Sequence, residues 1–218
     1  MMIDIRHKKL FYKFLVKSEK SSFYLLGGLF MSEPIIVPFK ERVRSLIISA
    51  AKAYSTLLGT DYIIQSEQFV YRKEYIIHFK QDNFLHLTGV KTKLHAKHFF
   101  TKALKEKITE SDYDCDSYDS LRRSVEKKLR VLVEIGNFFD GRLLFQEKYE
   151  RNSIKCIIAS ANQKCTIGFT GADKLRPMTI LNHNRLNPNN TVSEYRIFKN
   201  AFKKGGGSSQ DDEKDLKY

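Results

Sequence analysis

The stretch Asn83–His95, NFLHLTGVKTKLH, places side chains that could act on a phosphate close together in the chain. His86 and Thr88 stand two residues apart among apolar neighbours, and Lys91 follows a glycine. An imidazole can accept or donate a proton near neutral pH, a hydroxyl can orient an oxygen, and an ammonium group can balance phosphoryl charge. The alternation predicts a short strand that ends at Gly89, with His86 and Thr88 on one face.

A second set of the same residue types lies late in the chain, near the ends of predicted short strands. These types suit metal-independent cleavage of RNA, because the ribose 2′-OH attacks its own neighbouring phosphate and the protein supplies no nucleophile. The protein must supply a base, an acid for the departing 5′-oxygen, and groups that hold the pentacoordinate phosphorane. The division of His86 between base and acid stays open. We predict catalytic roles for His86, Thr88, Lys91, Thr179 and His183, and substrate binding by Lys97, Thr170, Lys174 and Arg176.

The acidic run DYDCDSYDS begins like a calcium-binding loop but does not continue as one. Asp112, Asp114 and Asp116 alternate, yet Ser117 stands where a glycine is required and Arg123 where a bidentate glutamate is required. The run is better explained as a polar loop that precedes a helix.

Other kinds of site lack their usual signatures. His86, His95 and His98 have no cysteine or carboxylate at metal-ligand spacing. The chain contains no GxxxxGK, GxGxxG or GxSxG motif, which argues against nucleotide hydrolysis and serine-ester chemistry. We therefore predict neither a metal nor another cofactor.

Charge is the strongest global feature. The 218 residues include 38 Lys and Arg against 25 Asp and Glu, a net charge of +13, which favours a polyanionic partner such as RNA. No apolar run approaches the roughly 20 residues of a membrane span, so no membrane partner is expected. Three cysteines without a CxxC motif are typical of a reducing, cytoplasmic compartment.

Periodicity predicts an α+β fold in which helices come first and a small curved antiparallel sheet follows. The predicted helices are Phe39–Leu58, His95–Lys107, Ser117–Phe138 and Val192–Phe202. The predicted strands are Phe69–Lys80, the short strand ending at Gly89, Leu143–Tyr149, Lys155–Ser160, Lys164–Thr170 and Met178–Asn182.

Composition predicts three regions along the chain. Met31 begins MSEPIIVPFKERVRSL, which reads like a protein start, so residues 1–30 are expected to be a translated leader or an N-terminal extension. Residues 31–204 are expected to form one nuclease-like domain. The glycine-rich and acidic residues 205–218 are expected to be a disordered tail.

Two segments of the chain carry a family resemblance. FLHLTGVKTKLHAKHFFTKALKEKITESDYD, a long helix, and then KCIIASANQKCTIGFTGADKLRPMTILNH resemble the phage-associated nuclease domains grouped with barnase, EndoU, colicin and RelE-like toxins. The similarity runs from about Tyr71 to His183, and CTIGF and the Pro-Met-Thr-Ile-Leu strand support it. The resemblance implies a small metal-independent ribonuclease of toxin type on a barnase/RelE-like sheet. It carries over His86 and Thr88 as active-site residues and Thr179 as a hydroxyl on the last strand.

Two other interpretations fit the same residues. The chain could be a non-catalytic nucleic-acid-binding module in which Phe84, Phe99 and Tyr75 stack bases and His86 is structural. It could also bind an acidic antitoxin or immunity protein through its positive charge, which is compatible with nuclease activity.

Overall fold

The computed structural model describes residues 37–114 and 119–202. The predictions for residues 1–30 and 205–218 lie outside the described residues. The helices are α1 (Phe39–Ser55), α2 (Asn83–Thr88), α3 (Ala96–Leu104) and α4 (Asp119–Val133), and 3-10 turns occupy Glu110–Asp112, Ile135–Asp140 and Pro188–Asn190. The strands are β1 (Thr60–Gln65), β2 (Glu74–His78), β3 (Leu144–Arg151), β4 (Ile154–Ala161), β5 (Cys165–Thr170), β6 (Lys174–Asn182) and β7 (Arg196–Ala201).

The described strands form one sheet in the order β3-β4-β5-β6-β2-β1-β7. Strands β3 to β6 make an antiparallel meander, and β7, β1 and β2 make a second antiparallel group. The two groups meet where β2 pairs with β6 in parallel, with Ile76 opposite Lys174 and Ile77 opposite Leu175. The sheet is therefore mixed, and a parallel pair forms the seam between two antiparallel halves.

The helical layer covers one face of this sheet. Helix α1 begins after Pro38, whose fixed φ suits a helix entry, and buries residues at helical spacing that include Val43, Ile47 and Tyr54. It packs against α4. The Tyr54 ring meets the rings of Phe79, Phe84 and Phe100, and its hydroxyl donates to the Lys80 carbonyl oxygen at 2.9 Å. No helix in the described part of the chain is long and apolar enough to cross a membrane.

The alternation of the strands separates a core face from an open face. Tyr62 and Ile64 of β1, together with Tyr75 and Ile77 of β2, are buried under the helical layer. Their neighbours along each strand point the opposite way, because successive side chains of a strand alternate between faces. We call this opposite side of the sheet the open face. It carries Asp61, His78, Gly168, Thr170, Lys174, Arg176 and Thr179.

The α+β class is confirmed, as are the helices near the predicted Phe39–Leu58, His95–Lys107 and Ser117–Phe138, and the four-strand meander. Two assignments were wrong in type. Asn83–Thr88 is a helix rather than a strand, because Phe84 and Leu87 recur at helical spacing into the core and Gly89 ends the turn with φ 74. Arg196–Ala201 is a strand rather than part of a helix, because it completes the edge beside β1.

The predicted order of N-terminal helices followed by an antiparallel sheet is confirmed only in part, because α1 comes first and β3–β6 form an antiparallel meander, but β2 and β6 pair in parallel. Strand β1 had not been predicted, and within Phe69–Lys80 only Glu74–His78 is a strand. Both lie before α2 in the chain, so the sheet is built from both ends of the described region. Strand β6 begins at Lys174, four residues before the predicted Met178, which places Lys174 and Arg176 on a strand instead of a loop.

Candidate active site

A buried carboxylate joins a histidine and a lysine on the open face. Asp61 Oδ1 lies 2.6 Å from His78 Nδ1, and Lys174 Nζ donates to Asp61 Oδ2 at 2.9 Å. The Asp61 side chain is 7% exposed, whereas that of Lys174 is 53% exposed. Because a carboxylate only accepts hydrogen bonds, the neutral His78 ring carries its proton on Nδ1 and presents the lone pair of Nε2.

The strands that meet at the seam bring these three residues together. Asp61 and His78 are opposite each other in the β1–β2 pairing. Ile76 of β2 lies beside Lys174 of β6, so the next residues on the same face, His78 and Arg176, are neighbours by register. Arg176 is exposed, and in the described part of the chain its guanidinium makes no hydrogen bond or ion pair.

Two threonines lie beside these cations on the next part of the sheet. Thr170 is opposite Arg176 in the β5–β6 hairpin, and Thr179 is opposite Gly168. The hairpin turns at Gly171, whose φ is 146 and where a Cβ would lie 2.6 Å from the Lys174 carbonyl oxygen. Only glycine fits there, so the tight turn fixes Thr170 next to the cations.

Gly168 leaves room on this side of the sheet for the side chains of Cys156 and Thr179. A Cβ there would lie 2.9 Å from Thr179 Cγ2 and would overlap Cys156 Sγ. Burial raises the pKa of the Cys156 thiol to about 11. Cys156 therefore stays protonated near neutral pH and packs over Gly168 rather than acting as a nucleophile.

Aromatic rings border the Asp61 cluster on the side of β7. The centroid of the Phe202 ring lies 5.8 Å from that of the His78 ring and 5.3 Å from Lys174 Nζ. Phe202 and Phe198 are each nearly half exposed. The aromatic residues expected to stack bases are the wrong ones, since Phe84, Phe99 and Tyr75 are all buried in the core.

Helix α2 carries His86 and packs against β6 on the helical side of the sheet, opposite the cations. The chain leaves the sheet after His78, and α2 then packs against β6. His86 is exposed, and in the described part of the chain its ring makes no hydrogen bond or ion pair. His86 and Thr88 do not share a strand face as predicted, because they lie two residues apart on a helix.

The other predicted site residues have different surroundings. The Thr88 hydroxyl is fully buried, donates to the Leu85 carbonyl oxygen at 2.7 Å and accepts from the Val90 amide, so it fastens the end of α2 and cannot orient a phosphate. Lys91 is exposed and pairs through its backbone with Asp114.

Two more predicted residues lie at the periphery of the described structure. Lys97 is exposed on α3. His183 ends β6 with φ 63, and its backbone amide donates to the Lys164 carbonyl oxygen at 2.7 Å. The structure thus gathers Thr170, Lys174, Arg176 and Thr179 on one face, whereas His86 lies on a helix that packs on the other side of β6.

Sequence reasoning missed Asp61 and His78. The signal for His78 was present, because Tyr75, Ile77 and Phe79 alternate as a core face and leave His78 on the opposite one. The signal for Asp61 was weaker, since its strand TDYIIQ had not been recognised. Among the described residues, no group of three or more His, Cys, Asp or Glu side chains is placed to hold a metal ion.

A family model described as phage-Barnase-EndoU-ColicinE5/D-RelE like nuclease4 matches residues 46–204, well over half of the chain. The chain belongs to this nuclease family. The match confirms the resemblance inferred from the two sequence segments and extends it on both sides. A nuclease acts on nucleic acid, which agrees with the net charge of +13. No curated protein and no solved structure gives a significant match.

Proposed function

We propose that this nuclease domain is an endoribonuclease that cleaves RNA without a metal, by attack of the 2′-OH on the adjacent phosphate, and leaves a 2′,3′-cyclic phosphate. The observation that carries the proposal is the Asp61–His78–Lys174 cluster on the open face. It combines an oriented imidazole with cationic groups at the surface where a phosphate can bind.

His78 is the general base in this scheme. Asp61 holds the Nδ1 proton, so Nε2 can take the proton of the 2′-OH, and the same carboxylate stabilises the imidazolium ion that forms. Phe202 beside the ring offers a surface on which a neighbouring base can stack.

Lys174 and Arg176 hold the phosphorane. Their positive charges lie on adjacent same-face positions of β6, where negative charge develops on the non-bridging oxygens. Thr170 and Thr179 donate hydroxyl hydrogens to the same phosphate.

His86 on α2 is the general acid that protonates the departing 5′-oxygen, and His183 is the second candidate for this role. Helix α2 packs against β6 from the helical side of the sheet, so this role requires that the departing nucleotide reach beyond the open face to α2. Lys91 and Lys97 extend the basic surface beyond α2 and bind substrate outside the reacting phosphate. Binding of a small acidic antitoxin or immunity protein to the domain stays a prediction.

The experiment compares the whole protein with His78→Ala and His86→Ala on total RNA and tRNA in excess EDTA. We expect cleavage products with 2′,3′-cyclic phosphate ends from the unaltered protein and a loss of about 10²- to 10⁴-fold in each variant. His98→Ala is the matched control, because His98 is exposed on α3 and has no role in the scheme.

Three results would contradict the proposal. Full activity of His78→Ala would remove the proposed base. Activity that requires an added divalent cation would remove metal independence. Intact RNA that stays bound at low salt would support the non-catalytic binding module.

A further inference from the structure

A cleft of about 310 Å³ lies at the β3 side of the sheet, away from the Asp61–His78–Lys174 cluster. Its walls include Gln146, Tyr149 and Arg151 of β3, and Arg185 and Asn187 of the segment after β6. None of these residues has a part in the mechanism proposed above.

Hydrogen bonds to β3 and β5 hold the segment 183–187 against the sheet. The Thr166 hydroxyl donates to the His183 carbonyl oxygen at 2.9 Å and accepts from the Arg185 amide at 2.8 Å. The Asn187 amide donates to Gln146 Oε1 at 2.8 Å. These hydrogen bonds fix the backbone around Arg185, so the shape of the cleft is set by the fold.

Tyr149 has an unmet hydrogen-bonding group. The residue is 2% exposed, and its hydroxyl is buried beside the Arg151 side chain without a hydrogen bond of normal geometry in the described part of the chain. A buried hydroxyl without a partner is unfavourable, and such a group in a native fold calls for an explanation. A ligand that accepts a hydrogen bond in the cleft would supply the missing partner.

Two arginines determine which ligand fits. Arg151 and Arg185 line the cleft together with Tyr149. Burial raises the pKa of the Tyr149 phenol, whereas the charge of Arg151, a contact of its side chain with the hydroxyl and the charge of Arg185 oppose that rise. Arg185 Nε donates to the Asn182 carbonyl oxygen at 2.9 Å. Neither side chain forms an ion pair with a carboxylate among the described residues. Glu150 also lines the cleft, and its Oε1 lies 3.6 Å from Lys155 Nζ.

A line of cross-strand neighbours connects the cleft to the candidate active site. Tyr149 is opposite Cys156 in the β3–β4 pairing, and Cys156 Sγ covers Gly168, which is opposite Thr179. Four adjacent strands are crossed in this way, a span of about 14 Å at the usual strand spacing. A single strand of RNA that crosses the open face therefore leads from the His78 cluster into the cleft.

We propose that the cleft formed by Tyr149, Arg151 and Arg185 is a phosphate subsite for the RNA strand, a few nucleotides away from the phosphate that is cleaved. This inference rests on the proposed function for the identity of the strand. The two guanidinium groups hold the phosphate oxygens, and the Tyr149 hydroxyl donates the third hydrogen bond.

The first test measures binding without chemistry. A labelled 2′-O-methyl oligoribonucleotide of about ten nucleotides cannot be cleaved, because it lacks the attacking hydroxyl. We expect Arg151→Gln and Arg185→Gln each to weaken its binding about tenfold and to lower the slope of log affinity against log salt by about 0.7. Arg123→Gln, an exposed arginine of α4, is the matched control and leaves affinity and slope unchanged.

Tyr149→Phe tests whether the Tyr149 hydroxyl contacts a ligand or stabilises the fold. The free protein loses no hydrogen bond of normal geometry when the hydroxyl is removed, so the thermal midpoint changes little. Affinity for the oligonucleotide falls several-fold. A lower midpoint with unchanged affinity would overturn the subsite.

The second test uses cleavable substrates of two lengths. For the unaltered protein we expect a higher kcat/KM on a substrate of about ten nucleotides than on a dinucleotide. The ratio of the two kcat/KM values should be about tenfold smaller in Arg151→Gln. An unchanged ratio in both arginine variants would overturn the subsite even if cleavage is intact. Binding that depends on Arg151 and Arg185 in a protein that cleaves no RNA would instead overturn the proposed function and support the subsite.

Discussion

Replacing Asp61 by asparagine tests the His78 assignment with little change in shape. The carboxylate accepts from His78 Nδ1 at 2.6 Å and from Lys174 Nζ at 2.9 Å. In Asp61→Asn, the amide can donate to Nδ1, which favours the tautomer with its proton on Nε2. That tautomer cannot accept the proton of the 2′-OH.

The size of the effect follows from the charge that is lost. An imidazolium ion and a carboxylate about 4 Å apart between charge centres attract by about 4 kcal/mol at an effective dielectric constant near 20. A hydrogen bond to a charged group contributes about 1.5–3 kcal/mol on its own. Because the Asp61 side chain is 7% exposed, water replaces little of this attraction. We therefore expect kcat to fall by about 30- to 1000-fold, since 1.4 kcal/mol corresponds to about tenfold.

The assay is single-turnover cleavage of a labelled oligoribonucleotide in EDTA, with binding of the uncleavable 2′-O-methyl strand measured in parallel. Affinity should change much less than kcat, because Lys174 keeps its positive charge. Asp173→Asn is the control, an exposed aspartate in the adjacent β5–β6 turn. Cleavage within about threefold of the unaltered protein would refute the assignment of His78 as a base oriented by Asp61.

Three further predictions concern the packing at Gly168, the stability of the fold at acidic pH and the exposed ring of Phe202. Gly168→Ala should lower the free energy of unfolding by about 1–3 kcal/mol, because the new methyl group overlaps Cys156, and the loss should be smaller in a Cys156→Ala background, as measured by urea denaturation. Burial raises the pKa of Asp112, but Lys102 at 2.7 Å and the donors of its capping box lower it more, so its stabilisation is present above the ordinary aspartate pKa and lost as pH falls below about 4. Asp112→Asn should cost about 1–2 kcal/mol at pH 7, and this cost should shrink as the pH is lowered below about 4, in the same denaturation assay. Phe202→Ala should weaken RNA binding by about 1–3 kcal/mol with a small change in thermal midpoint, because the ring is nearly half exposed; an unchanged affinity would exclude base stacking there.

The parts of the fold that sequence predicted are those in which local pattern and tertiary environment agree. The apolar spacing of α1 and the turn signals of the β3–β6 meander are complete within short windows, so they identify their elements without knowledge of the rest of the chain. The segment Asn83–Thr88 shows why this can fail. Six residues offer barely two helical turns, and the same apolar positions fit a strand until contacts with β6 and the other helices select the helix.

The residues of the candidate site also divide into those that a local pattern predicts and those that depend on long-range strand pairing. Lys174, Arg176 and Thr179 follow from a local pattern on one hairpin, and the structure keeps them on one face. The pair of Asp61 with His78 depends on the register between β1 and β2 and on the parallel pairing with β6, which connects positions far apart in sequence. Local periodicity carries no information about such a pairing, so the carboxylate partner was found only in three dimensions.

The seam between the two antiparallel halves has a consequence for the time at which the nuclease becomes active during synthesis. Asp61 and Lys174 are 113 residues apart in sequence, and β7, which flanks β1, comes later still. A chain emerging from the ribosome has its histidine and carboxylate early but gains the cations only after the hairpin has joined β2. The candidate site is therefore complete only after most of the domain has been translated.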